Sequence, residues 1–339
     1  MTSRLSHTTT AKWKVLAVLA GLLLVTSAIA PFWGLKTISL QNVFAATGNN
    51  VESQIFWEMR LPRVIVSFLC GSALALGGMV FQAMFKNSLA TPFTLGVAGG
   101  ASFGASVYIK IGFIFSIFGI PGVTLAAFVG AILSIMLVYG LTRASGSFST
   151  HTMLLAGVAL SFFFSSAIFF MQYLSDFTQS FQIMRWLMGG LAVQGYTTVL
   201  DLLPVIVGGT LVILYLTHDL NALTTGEEEA IGRGVNVART RSILFFTVSL
   251  MVAAVVSACG PIGFVGLMAP HICRLLIGAD HRYLTPATVL LGGVFLTWCD
   301  VLSRMLIAPA EIPVGIITAL LGGPFFIWLL ISKRGGYDY

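Results

Sequence analysis

Apolar residues run along this chain in stretches far longer than a soluble helix or strand requires. Uncharged segments cover 15–35, 64–85, 87–109, 111–142, 144–175, 202–218, 242–273, 283–299 and 312–332. A helix crosses the hydrocarbon core with about 20 apolar residues, so several of these segments hold more than one crossing. Ile120-Pro121-Gly122 closes a third span and opens a fourth, and Gly260-Pro261-Ile262-Gly263 divides 242–273 into a full span and a shorter one. Ser175–Gln182 is a polar break, followed by a short amphipathic piece around Met184–Leu191. The pattern predicts an all-α polytopic membrane protein of about ten transmembrane helices (nine to eleven), forming one transmembrane domain over 1–339.

Composition agrees with the pattern. The 339 residues are 57% hydrophobic and 9% charged, whereas a soluble domain carries about 25% charged residues. Arg4, Lys12 and Lys14 precede the first span, and Lys333 and Arg334 follow the last. The positive-inside rule puts both ends in the cytoplasm and makes the number of spans even. Ten spans place Lys36, Arg60, Arg63, Lys110, Arg185 and Arg304 outside, and the other twelve cations inside. The net charge of +6 is thus a topological signal, with no nucleic-acid partner implied. Ala28-Ile29-Ala30 imitates a signal-peptidase site, but Pro31 follows directly and the rest is also apolar, so an uncleaved first span is the expectation. Cys70, Cys259, Cys273 and Cys299 show no paired spacing, which indicates neither a disulfide framework nor a metal site.

Candidate chemistry is sparse. Gly96, Gly100 and Gly104 repeat every fourth residue and form a small-residue face for close helix packing. Gly100-Ala101-Ser102-Phe103-Gly104 matches a hydrolase elbow in form, but within a span it lacks the strand–turn–helix setting. The span centres hold no Asp, Glu, Lys or Arg, residues that proton and ion relays require. No phosphate-binding loop occurs either. If the protein pumps, a partner hydrolyses the nucleotide. A grip for that partner is expected in the cytoplasmic loop 217–241, where Glu227, Glu228 and Glu229 favour a helix start and Gly232 and Gly234 divide the segment in two. A merely solvated loop is the alternative.

An ordered set of motifs then resembles the FecCD family, the permeases of importers for iron–siderophores, haem and vitamin B12. They are Arg60-Leu61-Pro62-Arg63, Asn87–Pro92 with Leu95-Gly96-Val97, Leu154–Leu160, Trp186–Gly189, Gly226–Ala230, Gly260–Leu267 with Pro270-His271 and Arg274, Asp280-His281-Arg282, Asp300 to Arg304, and Glu311–Ile316. The set runs from about residue 57 to 331. The resemblance implies a type II ABC importer permease fold with ten spans, a multi-pass protein of the cell inner (plasma) membrane. Implied partners are a cytoplasmic ABC ATPase dimer, a periplasmic or lipid-anchored substrate-binding protein, a second permease subunit (identical, or related as a pseudo-symmetric heterodimer) and membrane lipid. No cofactor is expected on this chain, which has no enzyme activity of its own; ATP and Mg²⁺ belong to the partner ATPase.

By the same resemblance, Arg60, Arg63 and Arg304 stand at the external mouth and meet carboxylates of the binding protein. Interfacial anchoring is the plain alternative for Arg60 and Arg63, and an i,i+4 pair with Asp300 for Arg304. Segment 219–238 is similar to a pair of coupling helices, with Asn221, Glu227, Glu228, Glu229, Ala230, Gly234 and Val235 as the contact residues. Ser149, Thr150 and His151 resemble the cytoplasmic gate, and His271 and His281 look structural. The chain departs from the family pattern at Arg233, where leucine is usual, at Ser88, where proline is usual, and at Thr91, where aspartate is usual. On family frequency the cargo is a ferric siderophore first, then haem, cobalamin or molybdate. An ion-coupled secondary transporter, an intramembrane enzyme built on Ser102 and a membrane scaffold are the rival classes.

Overall fold

The structure is a computed structural model and describes residues 9–34, 36, 38–44, 51–117, 119–144, 150–191, 193 and 195–332. Helix α1 (Thr9–Ile29) leads through the short α2 (Leu40–Phe44) to α3 (Val51–Gln54). One π-helical turn, Ile55–Arg60, joins α3 to α4 (Leu61–Phe85). A 3₁₀ turn at Pro92–Leu95 precedes α5 (Val97–Ile111), and a two-residue hairpin, Ser116–Ile117 with Ile120–Pro121, precedes α6 (Gly122–Ala144). Then follow α7 (Thr150–Tyr173), α8 (Phe177–Leu187), α9 (Thr197–Tyr215), α10 (Thr217–Thr225), α11 (Glu227–Gly232) and α12 (Val237–Cys259). The chain ends in α13 (Val265–Ile277), α14 (His281–Met305) and α15 (Val314–Ser332).

Among the described residues, seven helices are long and apolar enough to cross a membrane: α1, α3 with α4, α6, α7, α9, α12 and α14. The shorter α5, α13 and α15 pack among them and bring the series to ten. Three boundaries differ from the sequence expectation. The uncharged segment 87–109 is helical only in part, because the 3₁₀ turn at Pro92–Leu95 and Gly96 at φ +77° precede α5, which starts at Val97. The amphipathic helix begins earlier than expected, at Phe177, because the Asp176 side chain caps it by accepting from the Gln179 N–H at 2.7 Å. The cytoplasmic segment breaks at Gly226, between α10 and α11, as well as at Gly232 and Gly234, where α11 ends before α12.

Helix α4 is the axle of the bundle. Nearly nine-tenths of its apolar window is buried, against 17% for α1 at the periphery. Its middle reads Gly71-Ser72-Ala73-Leu74-Ala75-Leu76-Gly77-Gly78, and such small residues let backbones approach where lipid provides no hydrophobic drive. Gly71 lies against the Gly292 carbonyl of α14, and Gly78 against the Gly266 carbonyl of α13. The glycine face foreseen on α5 does the same against α6: Gly100 meets Gly130, and Gly104 meets Ala126. Gly96 instead sits outside the helix at φ +77°, its carbonyl accepting a 2.8 Å bond from Ser134 Oγ.

These crossings predict a sharp difference between glycines. A Cβ at Gly71 would stand 2.7 Å from Leu296 Cβ and 2.9 Å from the Gly292 carbonyl carbon. Gly71→Val should therefore lower stability by about 1–3 kcal/mol or prevent folding, as overpacked interiors do. Gly140→Ala, with nothing within 4 Å of the new methyl, should leave the melting temperature in detergent unchanged or slightly raised.

Candidate functional site

At one end of the bundle the foreseen arginines come together, though not as a free rim. Arg60 is 8% exposed, and its guanidinium donates to the carbonyls of Pro31, Phe32 and Lys36 at 3.2, 2.9 and 2.5 Å. It clasps the chain that leaves α1. Arg63 Nε donates to Asp300 Oδ1 at 2.9 Å, and its Nη1 donates to both oxygens of Glu311 at 3.2 and 2.9 Å. Arg304 lies one helical turn after Asp300, its Nε 3.1 Å from Asp300 Oδ2, and Nη1 donates to the Trp33 carbonyl at 3.3 Å. The i,i+4 pair expected from spacing is therefore present, inside a larger network. Asp300 is fully buried between the two cations.

A cleft of about 260 Å³ opens beside this network, lined by Lys36, Arg60, Arg63, Arg304 and Glu311 among others. Four cations face one carboxylate there, with Asp300 behind. Two buried polar atoms, Arg304 Nη2 and Ser303 Oγ, have no hydrogen-bond partner among the described residues. Arg185 joins Arg63 and Glu311 around a smaller neighbouring cleft, and Lys110 reaches the Leu174 carbonyl and Gln179 at the start of α8. The six cations assigned outside thus share one end of the molecule.

At the opposite end α10 and α11 lie across the bundle. Asn221 does not face outward as a free contact: its Nδ2 donates to Asp280 Oδ1 at 2.9 Å. Its Oδ1 accepts from the His281 N–H at 2.9 Å and lies 2.7 Å from His281 Nδ1. Asp280 caps α14, accepting from the Arg282 N–H at 3.1 Å, with Lys12 4.0 Å away. Partial burial pushes its pKa up, but the bonds from Asn221 and Arg282 N–H and the charges of Lys12 and Arg282 outweigh that and hold it below the usual carboxylate range. Asp219 accepts from Thr240 Oγ1 at 3.0 Å and ties α10 to α12. Glu227 pairs with Arg241 at 3.1 Å, and Glu229 with Arg233 at 2.6 Å. Glu228 is exposed, and so are Ile231 and Gly234, the latter at φ +83°. Ala230 and Val235 are buried and seat α11 on the bundle. Arg233, where an apolar contact is usual, stands half-exposed beside Ile231.

Of the gate residues, Ser149 lies outside the described residues. Thr150 and His151 open α7, and their side chains are likewise outside the description. Ser102 sits buried in the middle of α5, a setting that gives the elbow motif no turn to sit on. His271 packs edge-on against Phe325. Sequence reasoning missed two features. Cys70 and Cys259 are buried neighbours with sulfurs 3.6 Å apart, a pairing that sequence distance conceals. The turn Gly260–Phe264 is knit to its surroundings: the Gly190 N–H donates to the Cys259 carbonyl at 2.8 Å, and Gly189 lies against the Pro261 carbonyl. Phe264 takes φ +67° there, a strained state for a bulky residue that persists only where surrounding packing enforces it. Non-helical backbone at this depth is tolerated because protein surrounds it.

The FecCD transport family model matches residues 22–332. The hemin transport system permease protein HmuU of Yersinia pestis is 35% identical over 302 residues, covering 89% of this chain and 90% of its own. The cobalamin import system permease protein BtuC of Halobacterium salinarum is 40% identical over 280 residues, covering 83% and 74%. A solved structure described as a metal-chelate type ABC transporter in an inward-facing conformation superposes with a TM-score of 0.85. It is 33% identical and covers 94% of this chain and 99% of its own.

Removing one member of a buried ion cluster leaves an uncompensated charge, at a cost of about 3–5 kcal/mol. Asp300→Asn should accordingly lower the melting temperature strongly, while Glu311→Gln, at a half-exposed carboxylate, should change stability by about 0–1 kcal/mol. For Asp280, a depressed folded-state pKa means that its stabilisation is complete above the usual carboxylate value of about 3.9 and disappears as pH falls through the lower folded value. The melting-temperature gap between wild type and Asp280→Asn should be constant near neutrality and close only in strong acid.

Proposed function

The chain belongs to the FecCD transport family and is the membrane-spanning permease subunit of an ABC importer, and we propose that α14 carries the signal between its two working faces. The family implies a partner ATPase, which supplies the energy, and a substrate-binding protein, which delivers the cargo. The observation that carries the proposal is the placement of both clusters on one helix. Asp280 and His281, at its start, hold α10, and Asp300, paired with Arg304 near its end, holds Arg63 of α4. With 25 residues, α14 is about 37 Å long at 1.5 Å per residue, enough to cross the membrane as one rigid rod.

In this reading the cleft at the arginine end receives acidic side chains of the loaded binding protein. An arriving carboxylate exchanges with Glu311 on Arg63 and reaches the unused Arg304 Nη2. Fixed positive charge there speeds encounter and fixes register more than it adds affinity. At the other end the exposed Ile231 and Glu228 of α11 enter a cleft of the ATPase dimer, while Asn221 acts from within by holding α10 to α14. Nucleotide-driven closure of the ATPases moves α10 and α11, and α14 conveys that motion to the mouth. ATP and Mg²⁺ stay on the partner. Two identical permease subunits frame the pathway, with both termini in the cytoplasm.

We favour an iron complex as cargo, with a ferric siderophore first. A relative that carries hemin and a solved neighbour of metal-chelate type support that class, while a cobalamin relative keeps vitamin B12 as the alternative. The described residues hold no cluster of three or more His, Cys, Asp or Glu fit for a metal ion, so the metal in this reading travels inside its chelator.

Reconstitution tests the scheme. Proteoliposomes containing the permease, its ATPase and a loaded binding protein should accumulate the ferric complex only with ATP, and Glu311→Arg should abolish uptake while assembly survives. Accumulation without the ATPase would overturn the mechanism, and uptake of cobalamin with no uptake of iron complexes would overturn the cargo assignment.

A further inference from the structure

We propose that the groove between α1 and α14 is a binding site for an anionic phospholipid. The groove encloses about 580 Å³ and is walled by Trp13, Leu16, Ala17, Ala20, Tyr283 and Leu290, with Arg282 at one end. Two short side chains, Ala17 and Ala20, create the hollow where α1 would otherwise lie flush on its neighbour. Helix α1 is the least buried span, so the groove opens sideways into the membrane, where an acyl chain fills apolar hollows.

The polar end of the groove carries the charge. Lys12 and Arg282 stand there against a single carboxylate, Asp280, which leaves a surplus of one positive charge. Arg282 is exposed and Lys12 partly so. Asp280 is already occupied by Asn221 and the Arg282 N–H, so it competes weakly for them. Lys12 lies 4.9 Å over the Tyr283 ring, and Trp13 meets that ring edge-on at 5.8 Å. Tryptophan and tyrosine concentrate at headgroup level, which sets the cations at the depth of a phosphodiester. Basic pockets between transmembrane helices bind anionic headgroups in this way. An occupant here touches the helix start that Asn221 holds, so lipid composition bears on the same contact that α10 uses.

The test is native mass spectrometry of the purified full-length chain, titrated with phosphatidylglycerol or with phosphatidylcholine of the same acyl chains. The wild type should retain phosphatidylglycerol in preference by about tenfold, the order expected for basic side chains at an anionic surface. Lys12→Gln with Arg282→Gln should reduce that preference to near one, Ala20→Phe should exclude both lipids, and inorganic phosphate should displace neither. A photoactivatable phosphatidylglycerol on the unaltered protein should label peptides of α1 and α14, a readout that does not depend on any variant folding. Equal retention of the two lipids by wild type, a preference that survives the double substitution, displacement by inorganic phosphate, or labels confined to other helices would each overturn the proposal.

Discussion

Inside a helix bundle a cation is tolerable only where an anion or polar acceptors reach it, and in this protein Asp300 is the anion for two arginines at once. Its carboxylate stands between Arg63 and Arg304 with no exposure to solvent. Burying three ionised groups is costly, and such clusters add little to stability over an apolar core. Their effect is geometric: the cluster fixes α14 to α4 at one register and brings the loop after α1 within reach through Trp33. Arg60 closes the same loop from the other side by filling its carbonyls.

That register has meaning only because the helices can approach closely. Gly71 against Gly292 and Gly78 against Gly266 put α4 nearly backbone to backbone with α14 and α13. Larger residues would push the helices apart and leave Asp300 beyond reach of Arg63. Close packing along the middle and ionic clamping near the ends thus serve one purpose. In the proposed scheme they let α14 move as a whole, with α10 fastened at its start by Asn221.

Much of this was legible in the sequence, for identifiable reasons. Spans reveal themselves because lipid leaves no alternative to long apolar helices, and proline and glycine mark their breaks, as at Gly260–Gly263. The segregation of Lys36, Arg60, Arg63, Lys110, Arg185 and Arg304 to one end follows from charge counting alone. The Asp300–Arg304 pair is a local i,i+4 spacing. What could not be read is long-range: Arg63 reaches Asp300 across 237 positions, and Asn221 reaches Asp280 across 59. For the same reason arginines expected as an open rim proved to be engaged by their own chain, and Asn221, expected as an outward contact, proved to be an internal fastening. Local cues fell short in smaller ways, since Asp176 capping started α8 earlier than hydropathy suggested and Gly226 adds a break ahead of the one at Gly232 and Gly234.

The most direct test of transmission through α14 is the ATPase rate of the assembled importer, read with and without loaded binding protein, in wild type and in Asn221→Ala. The account predicts that the variant keeps its basal hydrolysis and its affinity for the ATPase but loses stimulation by the binding protein. Stimulation that remains at the wild-type level in the variant would contradict it.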